Sequence, residues 1–168
     1  MPSEANNLSR RNIPSSDCNF IDDAILLCCR LEMETIQFFA EGEVEKDYAI
    51  GKVTMNKVSD KFTPKGQHGE LKTYFVTFHD GARTRLHYHD SDQILIAYEG
   101  EGFVEIVKRI NETHDNGYSL EVEDYVEFKN GETVIIPAGK LHWHGARKGS
   151  RRKFSHIAIL KNSRTVWL

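Results

Sequence analysis

The chain has no excess of one charge: 22 Lys and Arg stand against 25 Asp and Glu, a formal charge of −3. A nucleic-acid-binding domain carries a clustered positive excess, so no nucleic-acid partner is expected. Long apolar runs are also missing. The longest, Ala24 to Cys29, is far too short to span a bilayer, which excludes a helical membrane anchor. No basic segment, apolar stretch and small-residue cleavage site follow one another near Met1, so a cytoplasmic location is expected. Cysteine is confined to Cys18, Cys28 and Cys29. An odd count with two adjacent thiols argues against a disulfide framework. A zinc site built on three thiolates lacks a nearby histidine to complete it, so these thiols read as buried or idle.

What is present points to one soluble domain. The 168 residues are 39% hydrophobic and 28% charged, ordinary for a globular protein. Residues 1 to 20 are polar and rich in Ser, Asn and Arg, which predicts disorder. Residues 21 to 39 can form a short helix capped by Asp22 or Asp23. Alternatively, translation begins at Met33 and the upstream part is a non-native extension. The division expected is an extension over 1–32, disordered or partly helical, and a single domain over 33–168 with its core motifs in 70–160.

From residue 48 onward the pattern is strand and turn. Leu71 to Phe78 is rich in β-branched and aromatic residues and ends at a His-Asp-Gly turn. Further strands are expected over Arg85 to Tyr88, Gln93 to Tyr98, Gly102 to Ile110, Val122 to Phe128, Thr133 to Pro137, His142 to Ala146 and Phe154 to Leu160. A loop over Asn111 to Gly117 ends in Asp-Asn-Gly, a turn signal. Eight or nine short strands with glycine-bearing turns make an all-β sandwich or barrel.

Strand side chains repeat every two residues, so His87 and His89 share a face. Gln93 keeps that parity, and His142 stands on a later strand after Pro137-Ala138-Gly139. Two imidazoles at i and i+2 with a distant third suit a transition metal, and an amide oxygen adds a harder ligand. The competing reading is a pair of exposed polar residues at a strand end. His144 shares the face of His142, whereas Trp143 between them points away and reads as packing. His156 lies on the last expected strand with Ile157 and Ile159 on the opposite side, which suits a core histidine as well as a functional one. Thr84 has the wrong parity to join His87 unless a bulge shifts the register. His68, His79 and His114 sit beside Gly or Asp and read as solvated. The basic run from Arg147 to Lys153 reads as a wet hairpin loop.

The spacing resembles the two motifs of the cupin superfamily. The first runs Gly81, five residues, His87-Tyr88-His89, three residues, Gln93, six residues, Gly100. The second runs Gly131, five residues, Pro137-Ala138-Gly139, two residues, His142. The resemblance implies a double-stranded β-helix, or jelly-roll barrel, holding one divalent metal ion through His87, His89, Gln93 and His142. Manganese is the most favoured ion, with iron, zinc, nickel, copper or cobalt as alternatives.

Two departures stand out. Gln93 replaces the usual Glu, and the Asn that often closes the second motif is replaced near Gly145-Ala146. A neutral fourth ligand leaves more positive charge on the ion, which favours Lewis-acid work over oxidation.

Gly81 to Thr84, Gln93 to Gly102, His142 to Ala146 and His156 to Ile159 look most like small cupins that include manganese-dependent hydroxynitrile lyases. That likeness implies catalytic roles for His144 and His156 in acid/base chemistry, and for Thr84 in holding substrate. His144 would move the proton, since an ordinary imidazole titrates near neutral pH. The function expected is a metal-dependent lyase or isomerase acting on a small organic molecule. A metal-dependent dioxygenase that cleaves C=C bonds, and a non-catalytic ligand- or metal-binding module, are the alternatives. Phe75, Tyr98, Phe103 and Phe128 suggest a partly aromatic pocket. The exposed strand edges of such barrels suggest a homodimer.

Overall fold

In a computed structural model, the described residues are 37–40, 42–61, 69–112 and 118–168. The expectations about residues 1–32, the start at Met33, the three cysteines, His68 and His114 lie outside them. Of the helix expected over 21–39, only its last three positions are described. They form a turn in which the Ala40 N–H donates to the Gln37 carbonyl.

The described residues form thirteen strands, β1 (Glu43–Glu45), β2 (Ala49–Ile50), β3 (Val53–Lys57), β4 (Leu71–Phe78), β5 (Arg83–Thr84), β6 (His87–His89), β7 (Gln93–Glu99), β8 (Glu101–Glu112), β9 (Tyr118–Lys129), β10 (Thr133–Ile136), β11 (His142–Ala146), β12 (Phe154–Lys161) and β13 (Thr165–Trp167). One 3₁₀ turn, Ser59–Lys61, follows β3. The first sheet runs β1-β3-β4-β12-β7-β10, and the second runs β13-β6-β11-β5-β2 with β8 on the other side of β11 and β9 on β8. All the pairings are antiparallel. This is the all-β jelly-roll barrel that the sequence led us to expect.

Period-two alternation places the core between the sheets. From the first sheet come Val53, Val76, Phe78, Leu95, Ala97, Phe154 and Ala158; from the second, Val104, Phe128 and Ala146. Phe78, Leu95 and Phe154 are fully buried. At about 25 cal/mol per Å² of apolar surface, such side chains contribute roughly 2–3 kcal/mol each.

Of the strand expected over Arg85–Tyr88, only His87 and Tyr88 lie in one (β6), and Arg85 and Leu86 form a break after β5. The Arg85 N–H turns aside to the Tyr48 carbonyl, and the Leu86 carbonyl accepts from the Leu168 N–H. β8 also runs on to Glu112, so the expected loop is shorter than Asn111–Gly117. Strands β1 to β3 and β13 lie outside the segments the pattern singled out.

Candidate metal centre

Three strands bring the expected metal ligands to one place inside the barrel. β6 carries His87 and His89, β7 begins at Gln93, and β11 begins at His142, directly opposite His87. All four are buried. The turn that delivers His142 is fixed by Gly139, whose positive φ of 76° suits glycine. Its N–H reaches the His89 carbonyl at 2.8 Å, which ties the two motifs together.

Each ring is oriented from behind. His87 Nδ1 donates to the Arg85 carbonyl at 2.8 Å, and His142 Nδ1 to the Lys140 carbonyl at 2.7 Å. The same two-residue step serves both, and it leaves each Nε2 as a lone pair. His89 Nδ1 bonds Thr165 Oγ1 at 2.9 Å, and its buried Nε2 has no partner. Burial pushes the His89 and His142 pKa values down to about 4 and that of His87 well below the ordinary 6.5. The rings are therefore neutral at pH 7, the state in which imidazole binds a metal.

Gln93 Oε1 faces His142 Nε2 at 3.2 Å. With the His142 proton committed to Lys140, this is a carbonyl oxygen facing a lone pair with no hydrogen between them. A cation placed among these donors turns that repulsion into attraction. A buried, partnerless Nε2 on His89 and two outwardly tethered rings fit a divalent ion as well.

His144 lies beside this group. His87, His142 and His144 each place a nitrogen within 4.8 Å of the other two. The sequence-derived set and this tightest trio share His87 and His142 and differ in the rest. His144 Nδ1 has no hydrogen-bond partner to aim the ring, and its pKa is held well below 6.5 by burial and then by His156. The ring is therefore neutral at pH 7. It is a proton acceptor rather than the freely titrating group the ordinary imidazole value implied.

Thr84 reaches the site because the break at Arg85–Leu86 re-phases the chain. It lines the cavity, and its Oγ1 accepts the His144 backbone N–H at 3.1 Å. Gly145 makes this approach possible, since a Cβ there would collide with the Ala82 carbonyl and the Arg83 backbone. His156 is fully buried, and neither ring nitrogen has a partner. It stacks on Phe78 and meets His144 edge-on at 5.1 Å, one layer behind the cavity wall. Burial lowers its pKa to about 3.

The cavity, about 190 Å³, opens between the sheets. Its aromatic walls are Tyr48, Tyr74 and Trp167, not the residues expected. Phe75 and Tyr98 pack together on the outside of the first sheet, Phe103 stacks on Tyr125, and Phe128 packs on Phe154 in the core. Trp143 faces away from the cavity, under the Arg83 guanidinium. Arg147 pairs with Glu101 and Glu127 at the edge of its hairpin loop.

Sequence reasoning missed β13. Its Thr165 holds His89, and its Trp167 stacks on His87 at 4.3 Å and on Tyr48 at 4.5 Å. The alternation Thr165-Val166-Trp167 was the available signal, too short to stand out.

A family model for cupins matches residues 45–164, more than half of the chain. The protein is a cupin. Among curated proteins, this cupin is 28% identical over 129 residues to the (R)-mandelonitrile lyase of Granulicella tundricola, covering 77% of this chain and 83% of the lyase. Among solved structures it is similar to a cupin-like protein from Thermotoga maritima, with a TM-score of 0.59 and 27% identity over 79% of this chain and 89% of that one. It also resembles oxalate decarboxylase from Bacillus subtilis, with a TM-score of 0.50 and 14% identity. That match covers 76% of the cupin but only 30% of the decarboxylase, a protein with Mn(II) centres. At that identity the likeness speaks for the fold alone.

Proposed function

We propose that this cupin is a metal-dependent enzyme of lyase type, acting on a small α-hydroxy or carbonyl compound. The observation that carries the reading is His144, a buried neutral imidazole without a partner on Nδ1, beside a group of converging lone pairs. A site that only stores a metal has no use for it.

His87, His89, Gln93 and His142 would hold the ion, because the three rings are aimed by hydrogen bonds on Nδ1 and His144 is not. Manganese is taken from the likeness to manganese-dependent hydroxynitrile lyases; imidazole suits zinc, copper, iron and nickel as well, and the amide oxygen admits manganese. When bound, the ion supplies positive charge that polarises a substrate oxygen. The chain's own residues do the rest. Thr84 offers its hydroxyl hydrogen to the substrate, since its oxygen already accepts from His144. His144 takes a proton from the substrate hydroxyl, with His156 behind it to hold the ring. Tyr48, Tyr74 and Trp167 keep water from the reacting atoms.

The test uses the manganese-loaded chain and (R)-mandelonitrile, following release of aldehyde and cyanide. We expect cleavage, and we expect His144→Ala to keep its metal while kcat falls by about 10²–10⁴. Unchanged turnover in that variant would remove the catalytic role of His144. Consumption of dioxygen with a small alkene or diketone would replace the lyase reading by an oxidative one.

Thr165 and Trp167 reach the ion only through the rings they hold. The pair Thr165→Val with Trp167→Ala should weaken manganese binding by roughly 10–100-fold, read by chelator competition. Thr165→Ser should restore most of the hydrogen-bond share. An unchanged affinity in the double variant would mean that β13 only packs.

A further inference from the structure

The basic run from Arg147 to Lys153, a solvated hairpin loop by sequence, lines a cleft at the far end of the barrel. β7 and β11 begin at the metal centre with Gln93 and His142 and end where three turns meet. These are Gly100 between β7 and β8, 130–132 between β9 and β10, and 147–153 between β11 and β12. The Asn130 N–H donates to the Gly100 carbonyl at 3.3 Å, and the Arg147 N–H to the Glu101 carbonyl at 2.9 Å. A Cβ on Gly100 would collide with the Lys153 carbonyl, so the turns are in close contact. The cleft between them has a volume of about 640 Å³. Its charged lining is Lys129, Arg147, Lys148, Arg151 and Arg152 against one carboxylate, Glu101. None of its residues lines the metal cavity.

The carboxylates at this end are already committed. Arg147 holds Glu101 at 2.9 Å and Glu127 at 3.3 Å, Lys153 holds Glu99 at 2.9 Å, and Glu132 accepts the Lys129 backbone N–H at 2.8 Å. Among the described residues, Lys129, Lys148, Arg151 and Arg152 have no ion-pair partner. The loop that carries three of them is fixed all the same. The Ser150 N–H donates to the Arg147 carbonyl at 3.0 Å, and Ser150 Oγ accepts the Arg152 N–H at 3.1 Å. Four like charges are thus held around one concavity, in a chain whose net charge is −3.

We propose that this cleft binds a small polyanion through a diphosphate group. A guanidinium meets two phosphate oxygens at once with its planar fork, and Arg151 and Arg152 supply two such forks. Four unpaired cations exceed the charge of a single phosphate, which points to two linked groups. The neighbouring carboxylates decide for a small ligand over an RNA strand or a membrane surface. Glu101, Glu127 and Glu132 line the depression that adjoins the cleft, and they repel a run of phosphates laid across both. The site is independent of the proposed chemistry, since no cavity residue takes part.

The test is isothermal titration calorimetry of inorganic pyrophosphate into the full chain at low salt. A single site per chain is expected, with an affinity that falls as salt rises. Inorganic phosphate should bind at least about 10-fold more weakly, because it reaches fewer of the cations. Replacing both arginines, Arg151→Gln with Arg152→Gln, should weaken pyrophosphate binding at least about 10-fold. Circular dichroism checks folding, and Lys148→Gln stands in should the double variant fail to fold. Lys46→Gln, which removes an exposed charge elsewhere, should leave binding unchanged, and so should His142→Ala at the metal centre. Absence of binding at millimolar pyrophosphate overturns the proposal. So does binding that survives both the arginine pair and Lys148→Gln, or that Lys46→Gln weakens equally. Loss of binding in His142→Ala would put the anion on the metal instead. An RNA oligonucleotide or a phosphatidylserine vesicle that binds these residues more tightly than pyrophosphate would also refute a small ligand.

Discussion

Stripped of metal, the protein is expected to unfold cooperatively between about pH 6 and pH 5, taking up close to five protons as it does so. The five are those of His87, His89, His142, His144 and His156. In the folded chain burial lowers all their pKa values: to about 4 for His89 and His142, to about 3 for His156, and well below 6.5 for His87 and His144. In the unfolded chain each returns to its ordinary 6.5. A group with a depressed folded value contributes its full stability above the unfolded value and loses it as pH falls. Each proton is worth about 1.4 kcal/mol per pH unit, so five give a slope near 7 kcal/mol per unit below pH 6. A typical domain has only about 5–15 kcal/mol in total. Bound metal should move the midpoint to lower pH, because it occupies the same lone pairs. Acid titration followed by circular dichroism, with proton uptake from the slope of stability against pH, checks this. Uptake of one proton, or a metal-free chain still folded at pH 4, would show that the rings are wetter than their burial implies.

His142→Ala should reduce bound metal from about one ion per chain to nearly none, a larger loss than the 10–100-fold typical of removing an outer partner. His142 is the discriminating choice because it belongs both to the sequence-derived set and to the tightest histidine trio. Its loss removes a ligand whichever third histidine completes the site. The variant should fold, since the ring makes polar contacts to Gln93 and Lys140 rather than filling the apolar core. One proton fewer should be taken up on acid unfolding, an independent sign that the right group was removed. Elemental analysis decides it. A variant that keeps its full metal content would contradict the proposed ligand set.

Much of this was legible in the sequence because it rests on parity. Counting in twos puts His87, His89 and Gln93 on one face and His142 with His144 on another strand's face. The structure lines one cavity with His87, His89, Gln93 and His144 and sets His142 against Gln93. Trp143 faces away for the same reason, and so do Ile157 and Ile159. Counting failed where the chain leaves the ladder. Thr84 has the wrong parity for His87, and two diverted backbone groups at Arg85 and Leu86 correct it. The aromatic wall was misassigned because Phe75 and Tyr98 alternate well but on the outside of the sheet. Alternation says which residues share a face without saying which face is inward. β13 escaped notice because three residues have too little pattern to register, yet its contacts fall on two of the metal-site rings.

That last strand has a temporal consequence. His89 is steadied by a hydroxyl 76 positions later, and His142 meets Gln93 across 49 positions. His87, His89 and Gln93 lie within one short stretch, but His142 and the hydroxyl behind His89 reach them only through long loops, whose closure is slow. The complete donor set therefore exists only once the distant strands have paired. An ion bound by the full set would act on the finished barrel, and would lengthen the lifetime of the native state more than it hastens its arrival.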